Sequence, residues 1–213
     1  MTVIKAFIRP AQCAVVLSLL GSVSFAGDGN QIYILQTSPL GIAGNNSLEV
    51  DQTNATNATV AGAFGADASS TAALQDGTNN LGQILMMADG GQVAFLQSGD
   101  GNNATVSMAA ALGLAYMKQD GNDNSATLTL APLASSGDIR QIGNRNRAEL
   151  SVTGAGASGS LTQIGDNNQF GLTVSGAGAN ASYTAIGNNL APVGTGPVVI
   201  SNGGSVTITQ TQF

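Results

Sequence analysis

A 22-residue register constrains this chain more than any other feature. Gln75, Gln97, Gln119, Gln141 and Gln163 follow one another at that step. Each heads the same frame: QDGTNNLGQI, QSGDGNNATV, QDGNDNSATL, QIGNRNRAEL and QIGDNNQFGL. A glycine stands two residues after each Gln (Gly77, Gly99, Gly121, Gly143, Gly165), and Gly187 continues the series after Ala185 has replaced the Gln. Five residues after each Gln stands an asparagine: Asn80, Asn102, Asn124, Asn146 and Asn168. Apolar residues take the ninth place (Ile84, Val106, Leu128, Leu150, Leu172) and the eleventh (Met86, Met108, Leu130, Val152, Val174). Five units in unbroken register identify a repeat architecture.

Within a unit the period is two. Asn124, Ala126, Leu128 and Leu130 alternate with Ser125, Thr127 and Thr129, the signature of a strand with one buried face. Phe95, Met117, Ile139, Leu161 and Tyr183 lie two residues before the Gln position, in phase with it, and mark a second strand. Gly, Asn and Asp between the two strands form a tight turn, where positive φ is cheap and short polar side chains bond the backbone. A single unit cannot bury its apolar face, whereas stacked units can, each pairing its backbone with the coils before and after it. The expected fold is therefore all-β: a β-solenoid, or cross-β stack, of 22-residue strand-turn-strand repeats that rises about 4.8 Å per coil. Equivalent side chains then fall into columns, and the Gln and Asn residues form a structural ladder. Each amide bond contributes about 1 kcal/mol net, while an unpaired buried amide costs about 1–3 kcal/mol, so the ladder enforces register.

Residues 75–184 carry the regular repeats, residues 27–74 are irregular N-terminal repeats, and 185–213 are a degenerate C-terminal cap. At the N-terminal side Ile32 and Ile34 hold the pre-Gln phase, a longer loop follows, and Gln52–Asn57 reads as opening a further unit one residue out of register. Toward the C-terminus Pro192 falls where a small inward residue is due, and Val206 to Gln210 reads as a last strand. Residues 1–26 read as a signal peptide. Lys5 and Arg9 supply the positive start, Ala14 to Leu20 the short apolar run, and Ser24-Phe25-Ala26 the cleavage pattern, with the cut after Ala26. The apolar run is too short to span a bilayer, and no later stretch is long enough.

Cleavage there leaves twelve acidic residues against four basic ones (Lys118, Arg140, Arg145, Arg147), a net charge of about −8, and no cysteine. Such a surface disfavours nucleic acid, which needs a basic footprint. Neither His nor Cys remains to activate a nucleophile or complete most zinc sites. Asp76, Asp100, Asp120, Asp123 and Asp166 read as turn formers. Asp120 to Asn124 begins like a calcium loop, without the glycine and glutamate such a loop requires at its sixth and twelfth places. No catalytic, cofactor-binding or metal-binding residue is expected.

The frame resembles the curlin repeat of curli subunits, Ser-x5-Gln-x-Gly-x-x-Asn-x-Ala-x3-Gln. Gln97-x-Gly99-x-x-Asn102-x-Ala104, Gln119-x-Gly121-x-x-Asn124-x-Ala126 and Gln141-x-Gly143-x-x-Asn146-x-Ala148 carry the likeness, and Asn46 to Asn57 looks like a curlin second half with Gln52 as its second Gln. One departure is systematic: Met, Leu or Val stands at the second Gln in the five regular units. Ser135 keeps the leading serine before Gln141, where Gly91, Gly113 and Ala157 stand in neighbouring units. The resemblance implies a secreted, non-enzymatic subunit of a curli-like amyloid fibre on a bacterial surface, serving adhesion and biofilm matrix. Its implied partners are itself as a homopolymer, a nucleator or companion subunit, and an outer-membrane curli-type secretion channel. The alternative is a monomeric secreted β-solenoid that binds ice or polysaccharide through outward residues such as Thr105, Thr127 and Thr173. Against it, Gln83, Glu149 and Gly171 interrupt any threonine array.

Overall fold

A computed structural model describes residues 3–7, 29–38, 45–109, 111–131, 133–191 and 203–212. The strands in chain order are β1 (Val3–Phe7), β2 (Gln31–Ile32), β3 (Ile34–Thr37), β4 (Ser47–Asp51), β5 (Thr59–Ala61), β6 (Ala73–Asp76), β7 (Leu81–Met86), β8 (Gln92–Ser98) and β9 (Asn103–Met108). They continue with β10 (Leu114–Asp120), β11 (Ser125–Leu130), β12 (Ser136–Ile142), β13 (Arg147–Glu149), β14 (Ser158–Ile164), β15 (Gln169–Gly171), β16 (Asn180–Ile186) and β17 (Ser205–Thr211). The only helical turn among the described residues is a 3-10 turn at Gly65–Asp67.

The chain is a β-solenoid built from two parallel sheets. The first sheet runs β17-β16-β14-β12-β10-β8 and ends in two split strands, β5 with β6 and then β2 with β3. The second runs β4-β7-β9-β11-β13-β15, with β1 antiparallel on the outer edge of β4. Every regular coil contributes one strand to each sheet, and its equivalents pair at the 22-residue step: Gln97 with Gln119 with Gln141 with Gln163 in the first sheet, Ala104 with Ala126 with Ala148 in the second. Side chains alternate as a strand requires. In β11 the outward Ser125, Thr127 and Thr129 are exposed while Ala126, Leu128 and Leu130 are buried.

The core is the thin space between the sheets. From the first sheet it takes Phe95, Met117, Ile139 and Leu161, and from the second Ile84, Val106, Leu128, Leu150 and Leu172, all essentially inaccessible. Small residues make room for the large ones. A Cβ on Gly82 would stand 2.8 Å from the Phe95 ring, and one on Gly137 or Gly159 would stand 2.7 Å from Leu128 or Leu150. Phe170 breaks the small-residue column but packs on Tyr183, ring centroids 4.6 Å apart.

The N-terminal coils depart from the expected register in a specific way. Ile34-Leu35-Gln36 pairs with Ala73-Leu74-Gln75, so Gln36 begins the Gln column 39 residues before Gln75. The excess length sits outside the strands. Most of it is the excursion over residues 62–72, which leaves the stack after Ala61 and returns at Ala73. Those two residues stand on Ala94 and Phe95, adjacent positions of β8, since Leu74 pairs with Leu96. The reading of Gln52–Asn57 as the opening of a new unit is corrected. Asp51 pairs with Leu85, placing Gln52 over Met86, and Thr53–Asn57 form the second turn that closes the coil begun at β2. The Gly- and Asn-rich run resembled a first turn in composition, and turn chemistry alone does not say which of two turns it makes.

Of the expected signal peptide, only Val3–Phe7 falls among the described residues, and the cleavage site at Ala26 lies outside them. Pro192 also lies outside. The last strand is Ser205–Thr211, with Gln210 beside Ala185.

Candidate functional site

The distinctive chemistry of the molecule is a set of polar columns inside and beside the stack. Each inward-facing Gln side chain ends a first-sheet strand and reaches across to the second sheet. Gln75, Gln97, Gln119, Gln141 and Gln163 are fully buried. The Nε2 of Gln75 donates to Oε1 of Gln97 at 2.7 Å, Gln97 to Gln119 at 2.8 Å, Gln119 to Gln141 at 2.9 Å and Gln141 to Gln163 at 2.9 Å. Gln36 donates to Gln75 in the same sense. The second Nε2 proton goes to a backbone carbonyl of the other sheet: Ser47, Leu81, Asn103, Ser125 and Arg147 for the five in turn, at 2.9–3.0 Å. Each of these side chains therefore ties two coils and two sheets at once. Ala185 ends the run of amides, and the residue following it in the column is Gln210.

The Asn column is equally regular but bonds mainly to backbone. Oδ1 of Asn80 accepts the N–H of Asn102, Asn102 that of Asn124, Asn124 that of Asn146, and Asn146 that of Asn168, at 3.0–3.1 Å. Nδ2 donates to the turn-glycine carbonyl of the following coil, Asn80 to Gly99 through Asn168 to Gly187, at 2.7–2.8 Å. Only Asn102 and Asn124 also bond amide to amide, at 3.0 and 3.1 Å. The Asn residues thus satisfy the backbone groups that a tight turn would leave bare inside the protein.

The turn glycines explain themselves by contact. Gly77, Gly99, Gly121, Gly143, Gly165 and Gly187 have φ between +105° and +135°. A Cβ on any of the first five would lie 2.0–2.2 Å from the carbonyl oxygen of the glycine one coil on. Neither the conformation nor the space admits another residue.

A third polar column, which the sequence reading missed, lies three residues after the Gln. Oδ1 of Asp100 accepts the N–H of Thr78, Asn122 that of Asp100, Asn144 that of Asn122, Asp166 that of Asn144 and Asn188 that of Asp166, at 2.7–2.9 Å. The recurrence of Asp or Asn there at the 22-residue step was the available signal. Gln52 was legible as a lone second Gln. It is buried over Met86, with Nε2 3.3 Å from the sulfur and Oε1 without a partner.

The chain matches no known family model, no curated protein and no solved structure. Among the described residues no three acidic, His or Cys side chains are grouped to hold a metal ion, and no helix is long and apolar enough to cross a membrane. The outward column of the second sheet reads Gln83, Thr105, Thr127, Glu149, Gly171, with no repeated ligand-facing group.

The two ends of the stack are the remaining feature. At the C-terminal end β17 pairs with β16 on one side only, and Val206 is 36% exposed although it continues an inward column. At the other end the first sheet stops at β2 and β3. Among the described residues neither edge has a further strand paired to it.

Proposed function

We propose that the chain is the structural subunit of a secreted, curli-like amyloid fibre that serves surface adhesion and biofilm matrix. The observation that carries this reading is a stack already laid out as cross-β, whose first sheet has, among the described residues, no strand paired beyond β17 or beyond β2 and β3. Apart from β1 its strands are parallel and in register, its side chains stand in like-on-like columns, and among the described residues the first sheet ends in β17 with no strand beyond it. A folded domain ordinarily blunts such edges with charge, proline or a covering element. Between them β2, β3 and β17 carry no Lys, Arg, Asp, Glu or Pro.

The curlin resemblance supports the same assignment, including self-association, a nucleator or companion subunit and an outer-membrane export channel. Replacement of the family's second Gln by Met86, Met108, Leu130, Val152 and Val174 exchanges one amide ladder for a buried apolar column. Release from the amide geometry of that column leaves the Gln36-to-Gln163 column as the main keeper of register. An ice- or polysaccharide-binding role would call for a repeated outward array, and the mixed column from Gln83 to Gly171 offers none.

Purified chain lacking residues 1–26, seeded and incubated, should form fibres with a meridional reflection at about 4.7–4.8 Å. Protein that stays monomeric through prolonged seeding would overturn the proposal. Retention on ice or on a polysaccharide matrix by that monomer would favour the binding-module alternative.

A further inference from the structure

The column where the curlin frame carries its second Gln holds sulfur in this chain. Gln52, Met86, Met108 and Leu130 follow one another there, with Met86 paired to Met108 and Met108 to Leu130. Of the five methionines Met1 lies in the expected leader, and Met86, Met87, Met108 and Met117 fall within two successive coils. Cys13 leaves with the leader, so these thioethers are the only sulfur of the mature chain. With no thiol left, they are its readiest targets for a peroxide.

Their settings differ. Met87 is 42% exposed, whereas Met86, Met108 and Met117 are inaccessible. Met86 lies against an amide, with Gln52 Nε2 at 3.3 Å from its sulfur. Met108 has no such neighbour. Its column partners are Met86 and Leu130, and its sulfur fills the space beside Gly91, where a Cβ would stand 2.5 Å from it. Met117 is stacked between Phe95 and Ile139.

Oxidation would treat the two stacked thioethers unequally. When the sulfur lone pair attacks hydrogen peroxide, the S–O bond forms as the O–O bond breaks. Sulfur loses two electrons, the peroxide gains them, and water leaves. The product is a polar sulfoxide, a strong hydrogen-bond acceptor. At Met86 the Gln52 N–H is placed to meet the new oxygen. At Met108 the oxygen would be buried in a column that offers no donor, and an unpaired buried acceptor is destabilising. Close packing at Gly91 leaves it no room either.

We propose that Met108 makes folding of the stack sensitive to oxidation. A chain that meets a peroxide while unfolded, as during the expected export, gains a sulfoxide there and cannot close the coils around Gly91. A folded stack hides the same sulfur and resists. Met86, beside Gln52, is the tolerant member of the pair. The device concerns a single chain, so it goes beyond the fibre reading and is tested without it.

The test uses the chain without residues 1–26. Met87→Leu and Met117→Leu remove the other two sulfurs, and Leu161 already occupies the column of Met117. Adding Met86→Leu leaves Met108 alone, and adding Met108→Leu instead leaves Met86 alone. Each protein is oxidised with hydrogen peroxide in denaturant, checked by mass for a single added oxygen, refolded by dilution and compared with its own reduced form in urea. The Met108 sulfoxide should lower the folded-to-unfolded ratio at least about tenfold, and the Met86 sulfoxide should lower it less. Gln52→Leu should then bring the Met86 loss up to the Met108 value. Methionine sulfoxide reductase acting on the unfolded chain should restore both midpoints, which separates the sulfoxide from other peroxide damage. Equal midpoints for reduced and oxidised Met108 protein, or equal losses at the two sites with Gln52 in place, would overturn the assignment. Peroxide given to the folded, unsubstituted chain should modify Met87 first. Met108 oxidised as fast as Met87, in a chain that keeps its β circular-dichroism spectrum, would overturn it as well.

Discussion

Several side chains are held where the stack needs them rather than where their own preferences lie. The residue two places after each turn glycine is left-handed: Asn79, Gly101, Asp123, Arg145, Asn167 and Asn189 all have φ between +55° and +69°. Asn, Asp and Gly accept that region, whereas a long side chain costs about 1 kcal/mol more. Arg145→Asn should therefore raise stability by about 1 kcal/mol in chemical denaturation; a loss of stability would mean that Arg145 makes a compensating contact. The converse holds at Gly121, where φ is +127° and a Cβ would stand 2.1 Å from the Gly143 carbonyl. Gly121→Ala should destabilise by at least about 2 kcal/mol. Charges are also settled locally. Lys118 stacks on Arg140, and each is offset by an acid two residues away on its own strand, Asp120 at 3.2 Å and Asp138 at 3.1 Å. Burial raises the carboxyl of Asp138 above its ordinary value, with the Arg140 guanidinium pulling the opposite way but not prevailing. A raised acid favours the folded state below its unfolded value, near pH 4, and loses that contribution as pH climbs through the folded value. Asp138→Asn should therefore flatten the fall in stability on going from about pH 3 to pH 7, read as the denaturation midpoint at each pH. Parallel profiles for the two proteins would refute the assignment.

At the scale of strands and turns, the ladder is only as good as its weakest rung. Removing one interior amide strands the Nε2 proton of one neighbour and the Oε1 of the other. Gln119→Leu should therefore cost about 2–4 kcal/mol, more than the single bond each partner loses. Ala185 is the opposite case, a gap between Gln163 and Gln210. Ala185→Gln should bridge it and add about 1 kcal/mol if the new amide joins both neighbours, with the thermal midpoint as the measure. Legibility in the sequence followed the same division. The strands, their faces and the Gln positions were readable because 22-residue recurrence and period-two alternation both point inward at the same residues. The partners of the Asn side chains were not. Composition offers a stacked amide for both residue types, and only the turn's geometry shows that the shorter Asn side chain meets the glycine carbonyl and the next N–H instead. The coil containing Gln36 was legible only in the phase of Ile32 and Ile34 and not as a rung of the ladder, since its 39-residue separation from Gln75, lengthened by the excursion over residues 62–72, hides the repeat.

For the molecule as a whole, stability is shared along one axis rather than concentrated in a central core, as in other solenoids where each repeat contacts its neighbours. The excursion over residues 62–72 tests this. Its ends, Ala61 and Ala73, stand on consecutive residues of β8, so deleting 62–72 would splice them into one continuous strand. The shortened chain should keep its β spectrum, with stability unchanged or higher by up to about 1–2 kcal/mol; unfolding would show that the excursion, through contacts such as Phe64 on Tyr116, holds the stack together. The same splice point has a practical reach. A segment that exits and re-enters between neighbouring positions of one strand is invisible to every column. A foreign peptide grafted in its place would be carried without altering the repeat. In the proposed fibre each copy spans eight strand layers of the first sheet, so the cargo would recur about every 38 Å along one side, a regularly spaced display whose density is set by the rise of a single coil.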